Sequence, residues 1–247
     1  MNRLVSSLIV LIASAPFAVM AQQPETSGAN RLAEIVSAPR SEWLGSFDGI
    51  SVSGTMHVRI VKNAKEEGPR ITYDTKGVTA GKFTAAVDKN GILKVDEPVD
   101  AKRSTITEVT IYCNDISSLT VAGADLVCEN VISGKTLDIN VSGGANVTAK
   151  IDVLDLAAEV TGKSSVVLEG SARYMRLDIS TAKFDASGLA TVSTIADASH
   201  GAEVRLSVSE RLEAVTSTSG KISYTGSPAI VRGRSSLFGG DITEVTD

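Results

Sequence analysis

Residues 137–147 read Leu-Asp-Ile-Asn-Val-Ser-Gly-Gly-Ala-Asn-Val, and this stretch decides the fold. Its first half alternates apolar and polar residues, as a half-buried β-strand does. Its second half is a turn of small residues, Ser142-Gly143-Gly144-Ala145, which closes on the hydrophobic Val147. A short strand with a tight turn cannot bury its apolar side alone, so this unit requires neighbours of the same kind.

The same unit recurs through the second half of the chain. Aligned on the closing hydrophobic residue, successive units lie 21, 19, 18, 20, 18 and 20 residues apart. Strand-like segments such as Leu119–Val121 and Leu177–Ile179 precede most of the closing residues. This series indicates an internal repeat with a period of roughly 19 residues. The closing residues are Leu126, Val147, Val166, Phe184, Val204, Ile222 and Ile242.

A period of this length, built from short strands and small-residue turns, is typical of a parallel β-solenoid in which each repeat forms one coil. Equivalent positions of successive coils would then stack at the spacing of neighbouring strands, about 4.8 Å. The scarcity of large side chains agrees with a thin coil, since the chain has only 5 Phe, 4 Tyr and 1 Trp. The alternative is an antiparallel sandwich with evenly spaced strands. We favour the solenoid, over residues 113–247.

Residues 46–112 alternate without showing the repeat. Runs such as Met56–Ile60 and Glu108–Tyr112 are short, rich in β-branched residues and bounded by turn formers. Asn90-Gly91 predicts a hairpin, because this pair accepts the positive φ of a tight turn. The predicted fold class is all-β, with an antiparallel N-terminal part that continues into a parallel β-solenoid (β-helix-like) with coils of roughly 19 residues. Both parts form one β domain over 46–247, and the antiparallel part would cap the solenoid.

The first residues predict export. Met1-Asn2-Arg3 is a short positive region, Leu4–Val19 is uncharged and largely apolar, and Ala21 ends a stretch that a signal peptidase accepts. Residues 1–21 are therefore expected to be a signal peptide. A retained membrane anchor is the less favoured alternative, because the apolar run is shorter than a spanning helix needs. The mature protein would be periplasmic, in the outer envelope or secreted.

The mature chain is mildly acidic and begins with a polar segment. Residues 22–45 are expected to form a leader or linker that contains a short helix at Ala29–Val36. Removal of the signal peptide takes away Arg3 and no acidic residue, which leaves 23 basic and 29 acidic residues and a net charge of −6. The chain contains no basic block, and this argues against nucleic acid as a partner.

Three groups of residues carry a resemblance to one known family: Phe47, Gly49, Ile50, Val52, Gly54 and Val58; Val109, Ile111, Leu119, Val121, Gly123, Ala124 and Ser142–Ala145; and Tyr224–Pro228. The chain is similar to the autotransporter adhesin head domain, or head GIN domain, family over about residues 46–242. The resemblance implies an envelope or secreted protein with a β-solenoid body, and it implies no catalytic residues. The sequence departs from the family pattern at 161–164 and 180–182, where regular coils are less certain to form.

The two cysteines, Cys113 and Cys128, leave two possibilities open. Outside the cytoplasm they could form a disulfide, or they could be separate buried thiols that pack as small apolar side chains. Sequence spacing does not give the separation of their Cα atoms, which decides between the two. Neither cysteine belongs to a metal-ligand pattern, and no cofactor is expected.

The two histidines, His57 and His200, are expected to be exposed. His57 lies on an alternating strand, out of phase with its apolar neighbours, and His200 precedes a glycine in a turn. Two distant histidines without cysteine partners do not make a zinc site. A nucleophilic serine would need a histidine held by an acid beside it, and no sequence motif provides this.

Four acidic residues are the candidates for chemistry: Asp138, Asp155, Asp178 and Glu213. Each follows a leucine in its repeat and would lie on the outer side of a coil. Some β-solenoids cleave polysaccharides, and glycoside hydrolysis uses two carboxylates about 5 to 10 Å apart. Sugar clefts usually contain aromatic side chains as well, and few are available here. We therefore interpret the four acids as members of a solvated face.

Three functions remain open from the sequence. The favoured one is a non-enzymatic envelope protein that binds a glycan or protein, or acts as a scaffold, through the extended surface that repeat proteins offer. The second is an enzyme that acts on polysaccharide. The third is a structural module that forms homo-oligomers by stacking its faces or ends.

Overall fold

The computed structural model describes residues 39–63, 67–76, 82–98, 105–236 and 238–246. The predicted signal peptide and the predicted helix at Ala29–Val36 lie outside these residues. Within the described ranges the chain is all β, without a helix.

The described residues form sixteen strands in one sheet system. The N-terminal strands are β1 (Arg40–Trp43), β2 (Gly49–Ser53), β3 (Met56–Lys62), β4 (Arg70–Asp74), β5 (Thr84–Val87), β6 (Ile92–Asp96), β7 (Thr107–Cys113) and β8 (Ser118–Ala122). The repeat contains β9 (Asp125–Ser142), β10 (Asn146–Val160), β11 (Ser165–Ser180), β12 (Lys183–Ser199), β13 (Glu203–Thr216), β14 (Gly220–Thr225), β15 (Ile230–Ser235) and β16 (Gly240–Glu244).

The predicted repeat is confirmed residue by residue. Strands β9 to β13 pair in parallel with their neighbours in sequence, and β13 continues to β14 and β15. The hydrophobic residues used to align the repeat are register partners at every step. The column they form is Leu126, Val147, Val166, Phe184, Val204, Ile222 and Ile242. Parallel pairing over these strands excludes the antiparallel sandwich.

Each long strand contributes to two walls of the coil. Residues 125–128 of β9 pair with β3, whereas residues 138–142 pair with β8. We call the first wall the stack that contains β7, β3, the first halves of β9 to β13, β14 and β16. The second wall is the stack that contains β6, β2, β8, the second halves of β9 to β13, and β15.

The N-terminal part provides both antiparallel and parallel strands. Strands β1, β4 and β7 pair antiparallel, and so do β5 and β6, whose hairpin contains the predicted Asn90-Gly91 turn. Strands β2 and β3, however, pair in parallel with β6 and β7 on one side and with β8 and β9 on the other. The parallel stack thus extends further towards the N-terminus than residue 113. The spacing of the repeat does not reveal this, because the order of the strands in the stack differs from their order in the chain. In the stack, β6 and β7 precede β2 and β3, whereas in the chain they come later.

The core is a set of inward columns that run through the stack. One column on the second wall reads Val141, Val160, Ile179, Ala198 and Thr216 in register. All five are buried, and the last two, Ala198 and Thr216, have smaller side chains than the first three. A buried Val, Leu or Ile stabilises the fold by about 1.5–3 kcal/mol. Because these inward columns run from coil to coil, the core extends along the stack and is only one coil wide.

The turns in which the sequence departs from the family pattern keep the same corner geometry. Gly143 and Gly144 have a positive φ, and so do Gly162 and Lys163 at the equivalent corner of the next coil and Thr181 in the coil after it. The Lys163 N–H donates to the Thr181 carbonyl at 2.8 Å, so the corners of adjacent coils are joined. The coils at 161–164 and 180–182 are therefore regular, although Lys163 and Thr181 are left-handed residues without the freedom of glycine.

Close coil stacking predicts unequal effects of two glycine substitutions. Gly170 (φ 112°) leaves no room for a side chain, since a Cβ would lie 2.1 Å from the carbonyl oxygen of its register partner Ile151. Gly201 (φ 75°) also has a positive φ, but nothing lies within 4 Å of its Cβ position. In urea unfolding, Gly201→Ala should lower the free energy of unfolding by about 1 kcal/mol. Gly170→Ala should lower it by about 3 kcal/mol or more. Equal losses would contradict this stacking.

Candidate ligand-binding face

The outer surface of the second wall carries three parallel rows of side chains. Register pairing aligns four successive coils, and in each coil three outward residues alternate with the core residues. We call this surface the acidic face. Its rows are Thr136, Asp155, Tyr174 and Ser193; Asp138, Ala157, Arg176 and Ile195; and Asn140, Glu159, Asp178 and Asp197.

The third row is a ladder of adjacent carboxylates. Glu159 is the register partner of Asp178, and Asp178 is the register partner of Asp197. Neighbouring strands place such partners about 4.8 Å apart. Partial burial raises the pKa of Asp197 above its usual range, and the adjacent Asp178 carboxylate raises it further. Like charges directly opposite each other destabilise a sheet, so the ladder is an unfavourable arrangement that the fold retains.

Two adjoining shallow grooves cross this face. One has a volume of about 400 Å³ and the other about 350 Å³, and both are lined by Asp138, Ala157 and Arg176. Ala157 lies between Asp138 and Arg176 in its row, and its short side chain leaves the space between the two longer ones. Tyr174 and Ile195 line the second groove and are 49% and 45% exposed. The face therefore offers carboxylates, a guanidinium, and accessible apolar area.

The opposite arrangement occurs on the outer surface of the first wall. Charges of unlike sign are register neighbours there: Lys183 Nζ lies 3.5 Å from Glu203 Oε2, and Arg205 lies 3.5 Å from Asp185. Lys150 and Glu169 form a third pair at 3.1 Å. These exposed pairs neutralise one another at short range, whereas the acidic face contains five carboxylates and only Arg176 as a positive charge.

Three of the four predicted acids lie on the acidic face. Asp138 and Asp155 line the same groove, and Asp138 and Asp178 line the other. Glu213 lies further along the row that begins with Asp138, separated from it by three coils. It accepts hydrogen bonds from Arg211 and from Arg232 (3.4 Å), and these two guanidinium groups lower the pKa of Glu213. Glu213 is therefore part of an ion-pair cluster and separate from the grooves.

The sequence interpretation missed Glu159, Tyr174, Arg176 and Asp197. The repeat itself carried the signal, because Glu159, Asp178 and Asp197 are spaced by 19 residues, the length of a coil. The candidates chosen for following a leucine came instead from all three rows, and only Asp178 among them belongs to the ladder.

The histidines are exposed, as expected from the sequence. His57 Nε2 lies 3.4 Å from Asp125 on the neighbouring strand of the first wall. His200 Nδ1 lies 3.2 Å from the hydroxyl groups of Ser180 and Ser199 in a corner. Within the described ranges no three His, Cys, Asp or Glu side chains are grouped to hold a metal ion.

Both cysteines are buried free thiols. Cys113 ends β7 and Cys128 lies in β9, and β3 separates these two strands. Two strand spacings place their Cα atoms roughly 10 Å apart or more, beyond the usual 4.4–6.8 Å of a disulfide. Burial raises the pKa of each thiol to about 12. Of the two possibilities that the sequence left open, the geometry favours separate thiols.

Comparison with known families identifies residues 46–228 as "Putative auto-transporter adhesin, head GIN domain". The chain belongs to this family. The match spans β2 to β14 and the acidic face, so the head GIN domain includes both the N-terminal strands and most of the repeat. No curated protein matches the chain significantly.

Solved structures share the fold of this head GIN domain. A "putative adhesin" from Bacteroides fragilis is similar with a TM-score of 0.77 and 19% identity, over 84% of this chain and 96% of that one. A "putative adhesin" from Parabacteroides merdae has a TM-score of 0.65 and 18% identity, over 85% and 96%. A "putative lipid binding protein" from Parabacteroides distasonis has a TM-score of 0.64 and 15% identity, over 85% and 96%.

The described part of this head GIN domain contains no helix with the length and apolar character needed to cross a membrane.

The carboxylate ladder predicts a stabilising substitution. Asp178→Asn should raise the free energy of unfolding by about 0.5–1 kcal/mol at neutral pH and low salt, because it removes the charge between Glu159 and Asp197. The pKa of Asp197 is raised in the folded state. The Asp197 carboxyl group therefore contributes most to stability at low pH, and this contribution is lost as pH rises through that pKa. The gain should therefore vanish near pH 3. Asp138→Asn, with Ser118 and Ala157 as register partners, is the control and should change little.

The cysteine geometry predicts two unreactive thiols. Native protein at pH 8 should resist iodoacetamide, because burial keeps both thiols protonated. After unfolding in guanidinium without reductant, mass spectrometry should show both Cys113 and Cys128 alkylated. An unfolded protein that takes up no label would instead establish the disulfide.

Proposed function

We propose that this head GIN domain is an exported, non-enzymatic envelope protein that binds its ligand on the acidic face. One observation carries the proposal: the ladder Glu159–Asp178–Asp197 keeps three carboxylates side by side, whereas the first wall pairs its charges. A surface that retains mutual repulsion gains free energy when a ligand supplies positive charge. The adhesin name of the family and the predicted signal peptide support this role.

The shape of the face suits an extended ligand. Its grooves are shallow and lie across successive coils, so a chain-like ligand could contact several rows at once. Tyr174 and Ile195 would cover apolar parts of the ligand, and the carboxylates would bind cationic or hydrogen-bond-donating groups. A glycan with amino groups or a basic protein segment has this chemistry.

A carbohydrate-active enzyme is the second candidate, because Asp138 and Asp155 share a groove with Tyr174. The two acids lie on adjacent coils in adjacent rows, which places their Cα atoms about 8 Å apart. This distance is compatible with paired carboxylates in glycoside hydrolysis. The open groove provides little shielding from water, and we therefore favour binding without catalysis.

Binding can be tested with purified mature protein on arrays of glycans and envelope or matrix proteins. The wild type should bind a ligand, and two variants should weaken that binding at least tenfold. Asp178→Lys reverses the central charge of the ladder, and Ala157→Trp fills both grooves without a change in charge. Glu210→Lys, an equal charge change at an exposed residue outside the face, should bind as the wild type does.

Assays on the same purified protein distinguish the two candidate functions, a binding protein and a carbohydrate-active enzyme. Retained binding by both face variants, or no binding to any array component, would rule out the acidic face as the binding surface. Release of reducing ends from a bound polysaccharide, abolished by Asp138→Asn or Asp155→Asn, would instead establish the enzyme.

A further inference from the structure

Strands β15 and β16 form the last coil of the described stack, which we call the terminal coil. Strand β15 pairs with β13 and strand β16 with β14, and within the described ranges neither strand pairs on its other side. The core is incompletely covered there. Val231 is 44% exposed, whereas its register partner Leu212 in the preceding coil is fully buried.

The two strands of the terminal coil carry opposite charges. Strand β15 contains Arg232 and Arg234, and strand β16 contains Asp241 and Glu244. All four side chains are exposed. An unpaired strand edge of this kind is a template for another strand, and its charges select which strand fits.

A row on the first wall shows which charge would come next. It alternates in sign through Lys183, Glu203, Lys221 and Asp241, so the next position calls for a positive side chain. On the second wall, Arg232 already pairs with Glu213 at 3.4 Å. Arg234 lies beside Val215, which provides no charge. The open edge of the terminal coil thus presents one acidic position, Asp241, and one basic position, Arg234, to an added strand.

We propose that two copies of this chain associate end to end through their terminal coils, with β15 of each copy paired to β16 of the other. Strand β15 runs towards the turn that joins it to β16, and β16 runs away from that turn. A twofold axis through the turn, in the plane of the coil, therefore places β15 antiparallel to β16 of the second copy. Both pairings are then equivalent, as a closed dimer requires.

This axis also fixes the register. Ser235 and Gly240 flank the turn, and the Ser235 hydroxyl donates to the Gly240 carbonyl at 3.0 Å. A twofold axis between them sets Arg234 opposite Asp241 of the second copy, and it does so twice. Gly233 then faces Ile242 of the second copy, so these two core positions meet as the outward Arg234 and Asp241 do.

The dimer goes beyond the binding role and does not depend on it. The contact surface is one coil in cross-section, so the association should be weak and should depend on salt. The second wall of one copy would continue into the first wall of the other. Two acidic faces would then belong to one particle, which would strengthen binding to a multivalent surface.

Sedimentation equilibrium of the mature protein, from low to several hundred micromolar, tests the dimer. The wild type should rise from the monomer mass towards twice that mass, and high salt should shift the rise to higher concentration. Arg234→Glu and Asp241→Lys should each remain monomeric over the whole range, because each places like charges opposite each other twice. The R234E/D241K double variant should dimerise again, because the pair is restored with its charges exchanged.

Lys135→Glu, a charge reversal at an exposed residue of β9, is the matched control and should dimerise as the wild type does. Circular dichroism of every variant confirms that loss of the dimer is not loss of the fold. A wild type that stays monomeric at all concentrations would overturn the proposal. So would a dimer that withstands Arg234→Glu, or a double variant that fails to recover, since either result places the contact elsewhere.

Discussion

The structure depends on one constraint: successive coils must stack in parallel and in register, at the spacing of neighbouring strands. Register keeps the column from Leu126 to Ile242 inside the coil, and a shift by one residue would turn that column outwards. Because each coil encloses its own core, the parallel strands need no covering helices. The same stacking brings backbone close to backbone, and the carbonyl of Ile151 occupies the space where Gly170 lacks a side chain.

The register of the coils decides which outward side chains are neighbours, just as it decides which core side chains are. Each outward position recurs at the same height in the next coil, so charged residues of one row become neighbours, of either unlike or like sign. The first wall alternates, as Lys183 and Glu203 show, and its exposed pairs contribute little individually. The second wall accumulates Glu159, Asp178 and Asp197. This contrast between two walls of one coil is the physical basis for assigning binding to the acidic face.

Single-residue signals identified the candidate site only in part. Asp138, Asp155 and Asp178 were recognised because acids alternate with apolar residues, and they do lie together around two grooves. Glu213 satisfied the same criterion, but Arg211 and Arg232 hold it in an ion-pair cluster. One coil length before and after Asp178 would have found Glu159 and Asp197, the other two members of the ladder. No spacing in the sequence, however, indicates that Ala157 leaves open the space between Asp138 and Arg176.

The sequence by itself determined the all-β class, the repeat near 19 residues and its register, and the resemblance to the head GIN family. These features are local or periodic, and hydrophobic alternation encodes them directly. Tertiary structure alone decided that the coil of β2 and β3 lies between the coils of β6–β7 and β8–β9. It also placed β3 between the strands of Cys113 and Cys128. Such pairings join segments far apart in the chain, and their order depends on which exposed edges complement each other, which no local pattern records.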